Sequence, residues 1–522
     1  MNLFDWLVVG SYITAMLVIG WRASGSQTNQ NEYYLGGRGF SYWQIGMSTM
    51  ATQLSAVSFI SAPAFVGLRV GGGMQWLSYE FAVPLAMLFL ITIVIPPLYE
   101  AKVISVYEFL ETRFDAGTRL LVSVVFQLSR AFATGIKVYA LALVLSVVLK
   151  VPVWSMIIFA GTVTTAYSVM GGMKAVVYTD IVQLAILFIG ILVCSGVGLQ
   201  LLGGWEGFTM SLDRGRLQAV NFGGLGIGDG AEFGFWPMLL GGFFLYSSYY
   251  GTDQSQAQRA LSGRNLSEIR GALIFNGLMR FPLTFMYCMM GLILGTVALT
   301  TPAFRNMIPA ARPDLLVPTF IATYLPHGLV GLLIIAVLSA GMSAMSATIN
   351  SLSAVSIEDF IIRRRTSPMP DAQYIRTSRL ITTAWGVACM ICAFAAGNIA
   401  STVIEAINKV GSLFYGPILA TFVLAMLSTS VTPRRMNIGI VVGVLTNLVL
   451  WLFFPTQVFW FWWNLTGFVV TTVVASIGAT PIAGRVRVVA RGHVLPPKRE
   501  SLILVGYFIA IVSLALMLPY LF

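Results

Sequence analysis

A few polar residues stand where an otherwise apolar sequence gives them no structural excuse. The stretch "MSTMATQLSAVSFISAP", Met47 to Pro63, carries Thr52, Gln53, Ser55 and Ser58 inside a segment apolar enough to cross a membrane. Further on, "LSAGMSAMSATINSLSAVSIEDF" sets Ser339, Ser343, Ser346 and Asn350 at i, i+4, i+7 and i+11, which is one face of a helix. Asp180 lies in "YTDIVQ", and Arg130 and Lys137 stand seven residues apart on one face. Hydroxyls beside an unwound helix, whose backbone carbonyls are freed, make a set of hard oxygen ligands suited to a small cation. Buried Arg suits bidentate pairing with a carboxylate. Each pattern also has a plain structural reading. Small residues let helices pack closely, and serines back-bond to their own helix. Asp180 could cap a helix start. Arg130 and Lys137 could be neutralised by Glu80, Asp180 or Glu405, and Glu405 and Lys409 could satisfy each other at i, i+4.

Other chemistries lack their residues. Only two histidines exist, His327 and His493, too few for haem, quinone or zinc chemistry inside a membrane. Cys194, Cys288, Cys389 and Cys392 all fall in apolar segments, where packing is the expected role even for the C-x-x-C pair. No paired carboxylates at helical spacing and no nucleophile with an evident base argue for an enzyme. The net charge of +11 reflects basic loops rather than a nucleic-acid partner.

The elements that must position these residues are membrane helices. Of 522 residues, 57% are hydrophobic and 10% charged. Apolar runs predict an all-α polytopic protein with about fourteen spans, at 3–21, 43–69, 74–99, 119–149, 152–170, 177–202, 233–256, 271–298, 327–357, 376–397, 400–428, 435–454, 459–479 and 501–521. The first run has no preceding basic residue and reads as a helix rather than a signal peptide. With both termini outside, roughly 21 Lys and Arg fall inside, about 6 outside and about 4 within spans, which is the bias insertion favours. The longer outside segments, 203–232 and 299–326, are lid candidates, and the second has room for a short amphipathic helix. A second polar interruption, "YSSYYGTDQ" (Tyr246 to Gln254), falls five spans after the first. That matches two inverted repeats of five helices, 43–202 and 233–428, flanked by a peripheral first helix (3–21) and peripheral helices at 435–521, in one transmembrane domain.

Six motifs in order carry a resemblance: "NEYYLGGRGFSYW", "ATQLSAVSF", "SVYEFLETRF", "GGMKAVVYTDIVQ", "GTDQSQAQRALSGRNLSEIRGA" and "SAMSATINSLSAVSIEDF". Over about residues 32–430 the chain resembles the sodium/solute symporters, the family of sodium–glucose, sodium–proline, sodium–sialic acid, iodide and multivitamin carriers. The resemblance implies a LeuT-like core of five plus five helices and a multi-pass protein of the inner or plasma membrane. It implies a sodium site at positions matching Ala51, Leu54, Ala340 and Ser343, with Ala344 where a second hydroxyl is usual. Asp180 matches an acidic residue near the sodium path. Tyr79 and Glu80 match sugar-binding positions, Tyr249 an aromatic below the solute, and Arg280 a lysine of the sugar site. Tyr246, Asn408, Ser412, Ser55 and Ser58 fall in the same region.

The expectation is therefore sodium-coupled symport of a small polar organic solute by alternating access in the lipid bilayer. Glu80 and Tyr79 lean toward a sugar or polyol. Arg130, Lys137 and Arg280 lean toward an organic acid or sialic-acid-like anion, with Arg130 and Lys137 as anion contacts. Because Ala344 removes a hydroxyl ligand, proton coupling through Asp180 is an alternative to sodium.

Overall fold

The computed structural model describes residues 3–24, 29–54, 56–310, 312–326, 328–396, 403–481 and 498–522. Among these, secondary structure is helical, apart from isolated bridges between Phe40 and Gly263 and between Ile227 and Val458. A membrane core offers no water to backbone groups, so helices that satisfy their own hydrogen bonds are the expected solution. Among the described residues, ten helices are long and apolar enough to cross a bilayer, or up to eleven when a bent pair is counted as one span.

The first helix, α1, is Leu3–Ser24. The bent pair follows: α2 (Tyr42–Gln53) and α3 (Ala56–Gly67), inclined at 59°. Its break falls inside the polar stretch, where Leu54 leaves helical geometry at φ −76, ψ 72. Ser41 starts α2, with its backbone N–H donating 3.0 Å to the Gln44 side chain. Next come α4 (Met74–Glu100) and α5 (Ala116–Leu149), the latter capped by Asp115, which accepts from the Thr118 N–H at 2.7 Å.

Helix α6 (Val153–Leu201) joins the two spans expected at 152–170 and 177–202. Gly172 interrupts it at φ 52, ψ −147, a conformation closed to residues with a Cβ. The second polar interruption is a break at Thr252–Asp253, after α7 (Phe235–Gly251) and before the short helix Gln254–Leu261. Asp253 caps that short helix, accepting from the Ser255 N–H at 2.9 Å. The remaining helices are α8 (Leu266–Thr300), α9 (Leu329–Val355), α10 (Asp371–Ala396), α11 (Val403–Leu427), α12 (Pro433–Phe453), α13 (Trp462–Ser476) and α14 (Lys498–Leu521).

Burial separates centre from periphery. The apolar stretch of α9 is 88% buried and that of α4 78%, against 22–28% for α1, α10, α12 and α14. The Ser-rich face of α9 is thus interior, where hydroxyls must find partners. Of the lid candidates, the Gly-rich loop is a defined structure. Asp229 accepts from the N–H groups of Leu225 (2.7 Å) and Ala231 (3.0 Å), and Trp462 donates to the Leu225 carbonyl at 2.7 Å. Backbone hydrogen bonds hold its carboxyl below the usual carboxylate range. Segment 299–326 contains the helix Leu316–Tyr324, whose Leu316, Val317, Phe320 and Ile321 are buried.

Helices α3 and α8 cross in backbone contact. A Cβ at Gly295 would lie 2.5 Å from the Cα and carbonyl oxygen of Gly67. Gly196 on α6 has nothing within 4 Å of its Cβ position. Gly295→Ala should therefore destabilise the protein by about 1–3 kcal/mol, as overpacking does. Gly196→Ala should leave it unchanged. Thermal unfolding in detergent checks both, and equal midpoints for the two variants would contradict the close crossing.

Candidate functional site

The site is assembled around buried charge. Asp180 is fully buried on α6, eight residues past the Gly172 kink. It is not a helix cap, because the helix resumes directly after Gly172 and Asp180 lies well inside it. Its Oδ1 accepts from the Ser343 hydroxyl at 2.6 Å, and its Oδ2 accepts from Ser48 (2.5 Å) and from Arg259 (3.1 Å). Arg259, on the short helix after α7, also donates to Ser48 Oγ at 2.9 Å. Asp180 thus joins α2, α6, α9 and the short helix at one point.

This arrangement suits a monovalent cation. Ser343 gives its proton to the carboxylate and leaves its oxygen lone pairs available. The end of α2 leaves last-turn carbonyls without intrahelical partners. Two of these are used: the Met50 carbonyl accepts from the Leu54 N–H at 2.9 Å, and the Gln53 carbonyl from the Ser58 hydroxyl at 3.3 Å. Ala51 and Leu54 stand at this end, buried. Ala340 and Ala344 lie on α9 with Ser343, and Ala344 brings a methyl where a hydroxyl would add a ligand. Ser339 is turned elsewhere, donating to the Tyr12 hydroxyl at 3.0 Å.

A cavity of about 90 Å³ lies beyond the break. Its wall contains the expected Ser58, Tyr79, Tyr246, Tyr249, Arg280 and Asn408, together with Arg130 and Lys137. Ser55 lies outside the described residues. Ser412 is not on the wall. It is buried against α12 and α13, where its hydroxyl accepts from Asn464 at 3.1 Å and its carbonyl from Asn447 at 3.3 Å. Glu80 is not on the wall either. Its carboxylate is occupied by Arg280 (2.9 Å), Thr284 (2.9 Å) and Tyr246 (3.3 Å), so the residue expected to hold sugar hydroxyls serves as a counter-ion.

Further contacts and residues complete the wall. Gln53 accepts from the Tyr250 hydroxyl at 2.7 Å, and its buried Nε2 has no partner. Tyr79 donates to Asn408 at 3.1 Å, stacks on Trp76 with centroids 5.4 Å apart, and meets Phe461 edge-on at 5.3 Å. Tyr287 and Tyr415 also line the cavity. Gln53 was visible as an amide in an apolar run. The two tyrosines lay in unremarkable helical sequence.

The counter-charge of Arg130 is Asp253, not Glu80 or Asp180, and the side chain of Glu405, the third candidate, lies outside those described. Arg130 also bonds the Tyr415 hydroxyl and lies over the Tyr249 ring, 5.1 Å from its centroid. Lys137 has neither an ion-pair nor a hydrogen-bond partner among the described residues, although it lines the same cavity. Asp253→Asn leaves a buried guanidinium without its carboxylate and should cost about 3–5 kcal/mol. Replacing both members, Arg130→Met with Asp253→Leu, should recover much of that stability while losing function. A single-variant midpoint no lower than the double would contradict the pairing.

The comparisons with known proteins agree with this geometry. A family model described as the sodium:solute symporter family matches residues 33–443. The chain is similar to zebrafish (Danio rerio) sodium-coupled monocarboxylate transporter 2, 31% identical over 421 residues, covering 79% of this chain and 65% of that protein. It is similar to the human (Homo sapiens) sodium/iodide cotransporter, 28% identical over 433 residues, covering 82% and 66%. It thus spans about two thirds of the length of these relatives. A solved sodium-coupled sialic acid symporter, substrate-bound and outward-open, superposes with a TM-score of 0.80 at 22% identity, covering 92% of this chain and 100% of that one, and shares its fold. A hydroxyl-lined carboxylate beside a broken helix, in this fold and under this family match, places the chain in the sodium:solute symporter family.

Proposed function

We propose that this protein is a sodium-coupled symporter of a small organic monocarboxylate. One observation carries the solute class. Three basic side chains face the cavity, and two are already neutralised, Arg130 by Asp253 and Arg280 by Glu80. Lys137 brings a charge with no ion-pair partner among the described residues, so the wall described has about one positive charge to match with a monoanion. The free Nε2 of Gln53 offers a second donor for a carboxylate oxygen. The volume agrees with a small solute. The cavity is small, about 90 Å³. The monocarboxylate named for the zebrafish relative supports the same class. The sugar or polyol leaning has lost its chief residue, because Glu80 is spent on Arg280.

Sodium coupling rests on the family match and on the Ser343–Asp180 arrangement beside Ala51 and Leu54. Arg259 neutralises Asp180, which favours sodium over a proton as the driving ion. Fourteen crossings are supported if α6 counts as two spans at Gly172 and if α7 and α13, of 17 and 15 residues, also cross. The basic bias of the loops then puts both termini outside.

Uptake into proteoliposomes under an inward sodium gradient tests the reading. Labelled lactate should accumulate, and neither glucose nor lactamide should. Lys137→Met should raise the KM for lactate about 10- to 100-fold, as loss of a charged hydrogen bond does, with the sodium requirement unchanged. Glucose accumulation, or a Lys137→Met variant with unaltered KM, would contradict the solute class. Uptake driven by a pH gradient in choline would transfer the coupling to protons.

A further inference from the structure

The first helix lies at the edge of the fold, with its apolar stretch 28% buried, and its inward face carries two polar residues, Asp5 and Tyr12, among the apolar Val9 and Met16. Asp5 is fully buried and accepts from the backbone N–H groups of Gly328 (2.6 Å) and Gly331 (3.1 Å) at the start of α9. Two turns further on, the buried Tyr12 hydroxyl accepts from Ser339 of α9 at 3.0 Å and from Gln183 of α6 at 3.1 Å. The spacing of these contacts is informative. Gln183 follows Asp180 by one turn on α6, and Ser339 precedes Ser343 by one turn on α9. The Ser343–Asp180 hydrogen bond and the Tyr12 bridge are therefore successive rungs between the same two helices. The lower rung is direct, and the upper passes through a residue of α1.

We infer that Tyr12 is a positioning residue for the cation site. By fixing the register of α9 against α6, it keeps the Ser343 hydroxyl directed at Asp180 with its lone pairs free for sodium. Asp5 anchors the same helix at its start, so α1 moves with α6 and α9 when the transporter changes state. Without the Tyr12 hydroxyl, Ser339 and Gln183 face each other across an apolar gap. Ser339 then has reason to turn back to its own helix, as buried serines do, and α9 gains freedom to slide. The inference rests on the sodium reading above.

The test is the sodium dependence of lactate uptake by Tyr12→Phe in proteoliposomes, paired with Val9→Ala, a packing change on the same buried face of α1. Tyr12→Phe should raise half-saturating sodium about fivefold, as loss of one hydrogen bond does. The lactate KM at saturating sodium should be unchanged. In sodium-free choline its thermal midpoint should fall modestly, because the Gln183 amide loses its acceptor, and the sodium-induced rise should be reduced. Val9→Ala should lower the midpoint and leave half-saturating sodium unchanged. A Tyr12→Phe variant with wild-type sodium dependence overturns the inference alone, as does an equal sodium shift in Val9→Ala. Wild-type uptake that ignores sodium overturns the sodium reading and the inference together.

Discussion

Burying ionised groups in a low-dielectric interior is the constraint on which this structure depends. An unpaired charge there costs several kcal/mol, so each must be matched. Four buried pairs do this: Arg259–Asp180, Arg280–Glu80, Arg130–Asp253 and Arg119–Asp359. Each joins segments distant in sequence, and together they tie the short helix to α6, α8 to α4, and α5 both to the break after α7 and to the segment following α9. Lys137 stands apart from this matching, with no ion-pair partner among the described residues. The charge that would complete the site is the solute's.

The proposed ion and solute sites are coupled through the end of α2. Ala51 and Leu54 stand at the proposed cation position, and Gln53, between them, lines the cavity. A cation that draws those carbonyls into place also sets the Gln53 side chain. Occupancy of one site then changes the affinity of the other, and the change is reciprocal. Arg119 and Asp359 tie α5 to the segment following α9, with Ser105 and Ser123 also donating to Asp359. Tyr79 packs against Trp76 and Phe461, and Trp76 and Tyr79 line the cavity. In alternating access, ligands drive the change of state only through differential affinity for the two states.

Much of this was legible in the sequence because membrane insertion writes it plainly. Long apolar runs gave the helices, and two polar interruptions in such runs gave the breaks at Leu54 and at Thr252–Asp253. Most of the cavity wall followed from aligned motifs. Charge pairing was harder, because which carboxylate meets which guanidinium depends on helix rotation that periodicity does not set. Hence Asp253, rather than Glu80 or Asp180, pairs with Arg130, and Glu80 is a counter-ion rather than a solute contact. A helix cap stayed open as the lesser reading of Asp180 because the sequence hid the continuity of α6 past Gly172. Ser412 points into helix packing for the same rotational reason. The polar face of α1 rests on just Asp5 and Tyr12, too few residues to mark a pattern.

The central claim is that a cation at the broken helix and a carboxylate at Lys137 bind as one coupled unit. Isothermal titration of the purified protein with lactate, in saturating sodium and in choline, tests it most directly. The account predicts binding at least about tenfold tighter in sodium, a coupling within the usual range for linked sites. Equal affinity in the two media would contradict it.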